Sequence, residues 1–198
     1  MSQDGVNKGR RLLLLGATGG MGAVGAGFVA VPYIKSWNPS EKAKAAGAPA
    51  KVDVSKLEPG AMLTVEWRGK PVYVVRRTQE SLGFLEGLAD KLKDPNNTNK
   101  AQQPEYADNL PRSRKPEISV LLGVCTHLGC APKLRPDAKP EPFDADWKGG
   151  FFCPCHGSKF DLAGRVYNGS PASDNLLVPP YYYEDDSVIV IGESGENA

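Results

Sequence analysis

The 198-residue sequence predicts a mainly β protein: one small antiparallel domain preceded by a single membrane-spanning helix. Three observations carry that reading. The 22 glycines and 17 prolines favour a turn-rich β architecture over helices. Short runs rich in Val, Ile, Phe and Tyr recur from Val52 to the end of the chain, with turn residues between them. One stretch, residues 12–34, carries no charge at all. The formal net charge of +1 gives no electrostatic argument for nucleic acid as a partner.

The apolar stretch "LLLLGATGGMGAVGAGFVAVPYI" follows Lys8, Arg10 and Arg11. Its 23 residues would make a helix of about 35 Å, enough to cross a hydrocarbon core. A cleaved signal peptide would have a shorter apolar region, of about 7–15 residues. The small-x-small sites around Ala43 to Ala50 also lie well past the apolar end. An uncleaved anchor is therefore the reading. Arg10-Arg11 directly before it reads as a twin-arginine export signal, supported by six glycines that keep the segment only mildly hydrophobic. Leu13 stands where that signal prefers Phe. Flanking charge does not set the orientation, because Lys35, Lys42 and Lys44 follow the segment.

Residues 35–51 are polar and rich in Ala, Gly and Pro, with no apolar period, and read as a hinge or linker. "MLTVEW" and "VYVVRR" around "RGKP" signal a hairpin. Leu82, Leu85, Leu88 and Leu92 recur at helical intervals, so one amphipathic helix is expected over 81–92. A long polar loop follows, and then "EISVLLGV" reads as a buried strand. Residues 131–150 are loop-like. "FDLAGRVY", "NLLVPPYYY" and "SVIVIG" complete the short strands. The expected divisions are 1–11 as a cytoplasmic N-terminus, 12–34 as the transmembrane helix, 35–51 as the hinge and 52–198 as the head.

All four cysteines and both histidines fall in two six-residue words, "CTHLGC" (125–130) and "CPCHGS" (153–158). Cysteines placed only for packing would not cluster so. A structural zinc site could use C-x-H followed by C-x-x-H, but it leaves Cys130 and Cys155 without a task. A thiol redox site would need a C-x-x-C pair, which neither word contains. Two disulfides would leave both histidines unexplained. A binuclear iron–sulfur centre, taking one Cys and one His from each word and leaving Cys130 and Cys155 to pair with each other, gives all six a place. Mixed ligands matter electrostatically. Two thiolates cancel the +2 of an oxidised core and neutral imidazoles add nothing, so an electron enters a neutral object at low cost.

Together the two words resemble the signature boxes of the Rieske family, whose His-ligated centres span about −150 to +300 mV. The resemblance covers nearly the whole chain, most sharply residues 121–191. It implies a β-sandwich head with a small cluster-binding subdomain at about 120–172. It also implies one 2Fe–2S cluster held by Cys125, His127, Cys153 and His156, and a disulfide between Cys130 and Cys155. Oxygenase-type and ferredoxin-type members usually lack the two extra cysteines. Their presence with an N-terminal anchor is similar to the quinol-oxidising lineage, the iron–sulfur subunits of bacterial cytochrome bc complexes. An exported Rieske subunit of another kind, such as that of an arsenite oxidase, is one alternative, and a structural, non-redox zinc module is the other.

Within that resemblance, Ser158 matches a serine donating to a bridging sulfide, and Leu128 an apolar residue that shields the cluster and touches the quinol pocket. "NGSPAS" matches a proline loop over the cluster, with Ser173 where a second proline is usual. Phe160 stands where the family commonly has a Tyr that donates to a ligand cysteine. The resemblance implies that quinol bound in cytochrome b meets an exposed imidazole, His156 or else His127, giving up an electron and a proton together. A c-type haem then receives the electron as the head moves on its hinge. The implied setting is a dimeric complex in the bacterial inner membrane, with a single-pass anchor and the head on the periplasmic side. A disulfide needs an oxidising compartment, and twin-arginine export can move a domain already folded around its cluster.

Overall fold

The structure is a computed structural model that describes residue 5 and residues 7–195. Residues 1–4 and 6 of the expected cytoplasmic N-terminus, and residues 196–198, lie outside those described. The chain divides into two compact units, up to Ala45 and from Ala46 onward.

The first unit is built on α1 (Lys8–Ser36), 29 residues with none buried. Asn7 caps it, its side chain accepting the Arg10 N–H at 3.1 Å. By length and composition α1 can cross a membrane, and it extends beyond both ends of the apolar stretch because Asn7 and Trp37 supply the caps. The expected linker is not featureless. Residues 41–47 form a short helix, α2 (Glu41–Gly47), since Ser40 Oγ accepts the Ala43 N–H and the residues behind it are good helix formers. The strand after it begins two residues before Val52, at Ala50.

Among its described residues the second unit holds nine strands in three sheets of three. β1 (Ala50–Asp53) pairs with β9 (Val188–Ile191), which pairs with β8 (Tyr181–Tyr183). β2 (Met62–Trp67), β3 (Lys70–Arg76) and β4 (Ile118–Leu122) form the second sheet, antiparallel throughout. The β2–β3 hairpin turns on Arg68 and Gly69, both at positive φ (53° and 71°), which is the two-residue type I′ geometry that matches strand twist. β5 (Lys133–Arg135), β6 (Gly150–Phe152) and β7 (Lys159–Phe160) make the third, smaller sheet. One continuous apolar core joins Val52, Val72, Val74, Ile189 and Ile191 to Phe151, Phe160, Cys125 and Cys153.

Five further expectations need correction, the first being that residues 131–150, expected to be loop-like, carry the strand β5 (Lys133–Arg135) paired with β6. The single helix over 81–92 is instead α3 (Gln79–Phe84), followed by a 3₁₀ segment, Glu86–Lys91. Leu85, Leu88 and Leu92 are buried as expected. Gly83 and Gly87 weaken a continuous α-helix, and Arg165 Nη2 takes the junction carbonyl of Leu85 at 2.7 Å. The long polar loop is folded inward. Its Arg112, fully buried, donates to the carbonyls of Ala163, Leu176 and Gln102 and to Gln103 Oε1. In "FDLAGRVY" the strand stops at Phe160. Asp161 Oδ1 accepts the N–H groups of Ala163 and Arg165, and Oδ2 pairs with Arg165 Nε at 2.7 Å, both side chains fully buried. The chain thereby turns and bridges back from Val166 to Phe160. In "NLLVPPYYY" only the tyrosines are strand, because Pro179 and Pro180 lack the N–H a ladder needs.

Candidate metal centre

Both Cys/His words lie on loops that leave the ends of strands. The first follows β4 and leads to β5; the second joins β6 to β7. The loops share one hydrogen-bond plan. Cys125 N donates to Cys130 O and Cys153 N to Ser158 O, each at 2.8 Å. Gly129 N donates to Cys125 O and Gly157 N to Cys153 O, each at 2.9 Å. The fifth residue of each word must therefore be at positive φ, 83° at Gly129 and 78° at Gly157, where only glycine is unstrained. These glycines were not singled out from the sequence, although their shared place in both words was the available signal.

Cys125 and Cys153 are buried with free thiols. Cys130 and Cys155 are joined by a disulfide that ties one loop to the other. The Cys153 sulfur lies within 4.8 Å of both bridged sulfurs, which have no thiolate to offer a metal. Burial pushes the Cys153 thiol up, while the backbone N–H groups of Cys155 and His156 pull the other way by favouring its thiolate. The rings of His127 and His156 meet edge to face, centroids 4.8 Å apart at 89°. His156 is exposed, whereas His127 Nδ1 is buried without a hydrogen-bond partner. Leu128 stands beside them 71% exposed. A leucine so placed is not part of this domain's core.

A third segment straps the two loops. Thr126 Oγ1 donates to Asp174 O at 2.6 Å, and Ala172 N donates to the fully buried Ser158 Oγ at 3.0 Å. Pro171 and Ser173 are exposed and Ala172 is buried between them. Behind the strap, Lys93 Nζ donates to the carbonyls of Ser170 and Ala172, and Asn99 Nδ2 to Asp174 Oδ1. Lys93 and Asn99 come from the stretch that reads as a polar loop, and no local pattern marks them. Phe160, fully buried, pairs across β6–β7 with Phe151 and offers no hydroxyl.

A β-sandwich bearing a small lobe, with two buried thiols and two facing imidazoles on paired loops, defines an iron–sulfur protein. The family model described as the Rieske [2Fe-2S] domain matches residues 49–181, and the ubiquinol–cytochrome c reductase Fe–S subunit TAT signal matches residues 1–40. The chain belongs to the Rieske family, among the ubiquinol–cytochrome c reductase iron–sulfur subunits. It is 54% identical to the subunit so named from Allochromatium vinosum, over 100% of this chain and 95% of that one. With the Blastochloris viridis subunit the identity is 41%, over 96% and 97%. A solved chain of a hyperthermophilic respiratory Complex III is 28% identical with a TM-score of 0.47, covering 89% of this chain and 97% of that one. The family carries a Rieske-type 2Fe–2S cluster, and the donor set fits one. The buried, unpartnered Nδ1 of His127, two residues along the chain from the buried Cys125, is a costly arrangement unless a metal takes the lone pair.

Proposed function

We propose that this chain accepts electrons from quinol in a respiratory cytochrome bc complex and hands them to a c-type haem. In this reading Cys125 and His127 from one loop, and Cys153 and His156 from the other, hold the cluster. The carrying observation is an asymmetry: both thiols are buried, while His156 and Leu128 stand exposed at the loop tips. When bound, the cluster supplies a one-electron acceptor. His156 would present its ring nitrogen that does not hold the cluster to a quinol hydroxyl, and in the deprotonated, imidazolate form that nitrogen would accept the hydrogen bond and then the proton, with His127 as the second candidate. Leu128 covers the lobe's tip and docks against the apolar wall of a quinol pocket in cytochrome b. The names of the relatives support the bc assignment. The export-signal family at residues 1–40 and the apolar α1 support a single-pass anchor in the bacterial inner membrane with the head on the periplasmic side. Residues 35–51 act as the hinge on which the head travels between cytochrome b and the haem, in a dimeric complex.

The test uses the EPR spectrum of the reduced cluster in native membranes. A quinol-site inhibitor that hydrogen-bonds the exposed imidazole should shift the spectrum. An unchanged spectrum, with the inhibitor shown to be bound, removes the quinol-facing role. Ser158 gives a second check. With its oxygen accepting Ala172 N–H, the hydroxyl proton is free to point at the cluster. Ser158→Ala should lower the midpoint potential by roughly 60 mV, a tenfold change in a one-electron equilibrium. It should also cost about 1–3 kcal/mol by orphaning the buried Ala172 amide. Redox titration and thermal melting read the two effects separately.

A further inference from the structure

Tyr73 lies in the middle of β3, hydrogen-bonded between β2 and β4. Its ring leans along β3 over Gly123, where any Cβ would come within 2.4 Å of the Tyr73 Cζ. On its other side the ring stacks on Phe151, centroids 5.8 Å apart at 9°. Gly123 stands two residues before Cys125, and Phe151 two residues before Cys153. With a period of two along a strand, Tyr73 thus touches the root of each cysteine-bearing loop, with its hydroxyl-bearing carbon against Gly123. The hydroxyl oxygens of Tyr106 and Tyr181 accept the backbone N–H groups of Tyr181 and Arg114. Among the described residues the Tyr73 hydroxyl has no such partner, though the side chain is only 6% exposed. The hydroxyls of Tyr167 and Tyr183 are also without partners, so what marks Tyr73 is its contact with the roots of both cysteine loops.

We propose that Tyr73 donates its hydroxyl proton to sulfur at the cysteine end of the cluster and thereby sets the cluster's reduction potential. The proposal rests on the reading that Cys125 and Cys153 are ligands. A donor aimed at sulfur stabilises the reduced, more negative centre more than the oxidised one. Phe160, packed beside Phe151 on the neighbouring strand, has no hydroxyl to do this. Tyr73 supplies one from β3.

The experiment is a redox titration of the membrane-extracted holoprotein, followed by EPR. Tyr73→Phe removes one oxygen and no packing surface. It should shift the reduced-to-oxidised ratio about threefold to tenfold toward oxidised, a midpoint about 28–59 mV lower. Replacing Tyr73 with 3-fluorotyrosine, a more acidic phenol of nearly the same shape, should move the midpoint upward. Tyr183→Phe, which removes a phenol from β8 in another sheet, should leave it unmoved. An unchanged midpoint in Tyr73→Phe with an intact spectrum, or equal shifts in Tyr73→Phe and Tyr183→Phe, would overturn the proposal. A wild-type spectrum with full cysteine ligation and no nitrogen coupling would instead overturn the ligand reading, and the proposal with it.

Discussion

His156→Ala is expected to yield a folded head without its cluster and a complex without quinol–cytochrome c reductase activity. His156 is exposed at a loop tip, so its removal takes nothing from the apolar core that joins the sheets. The iron it holds in the proposed ligand set would lose one of only two nitrogen donors. Even residues that merely support a metal ligand cost about 10–100-fold in affinity when changed, and loss of the ligand itself should cost more. The disulfide and the strap from residues 170–175 remain to hold the empty loops. Far-UV circular dichroism should therefore stay near wild type while iron and acid-labile sulfide fall to background. His127→Ala should behave alike. A His156→Ala protein that keeps its full iron and sulfide would show that the ligands are assigned wrongly.

Removing the disulfide should produce the largest loss of stability. Cys130 and Cys155 are 25 residues apart in the chain. Closing a loop of that length lowers the entropy of the unfolded chain by an amount worth about 3.5 kcal/mol on the chain-entropy account. For a domain of this size each kcal/mol moves the melting midpoint by roughly 2–4 °C, so the expected fall is about 7–14 °C. The clean variant replaces both cysteines with alanine. A lone Cys130 thiol would sit within 4.8 Å of the Cys153 sulfur and could compete for iron. Calorimetry on the purified protein measures the shift. The same melting midpoint in the double variant would mean that the strap and the sheet pairing already fix the loops. The disulfide would then act on the cluster's surroundings and not on the fold.

The two words "CTHLGC" and "CPCHGS" carried the site in the sequence because their geometry is local. Each word closes on itself through a Cys–Gly turn and a bond across five residues, so residue types and spacing already hold the arrangement. The apolar helix was legible for a similar reason, since a run of 23 uncharged residues needs no partner to be recognised. The β2–β3 hairpin could be read from "RGKP", whose turn chemistry sets its register.

What only the tertiary structure decided depended on groups far apart in the chain. The break in the helix at Leu85 combines Gly83 and Gly87 with a guanidinium 80 residues away that takes the Leu85 carbonyl, and no leucine periodicity can report the second. The stretch around Arg112 reads as a polar loop, yet its cations are spent inward on carbonyls of the "DLAG" turn and the strap, and its Asn99 amide on the Asp174 carboxylate. Tyr73 read as one more β-former in an alternating strand. Its place between the roots of both cysteine loops exists only once β3 pairs with β4 and the β6 strand lays Phe151 against it. Local pattern records which side chains a short segment can hold together, whereas pairing between strands, which is paid for by burial over the whole core, decides what those side chains meet.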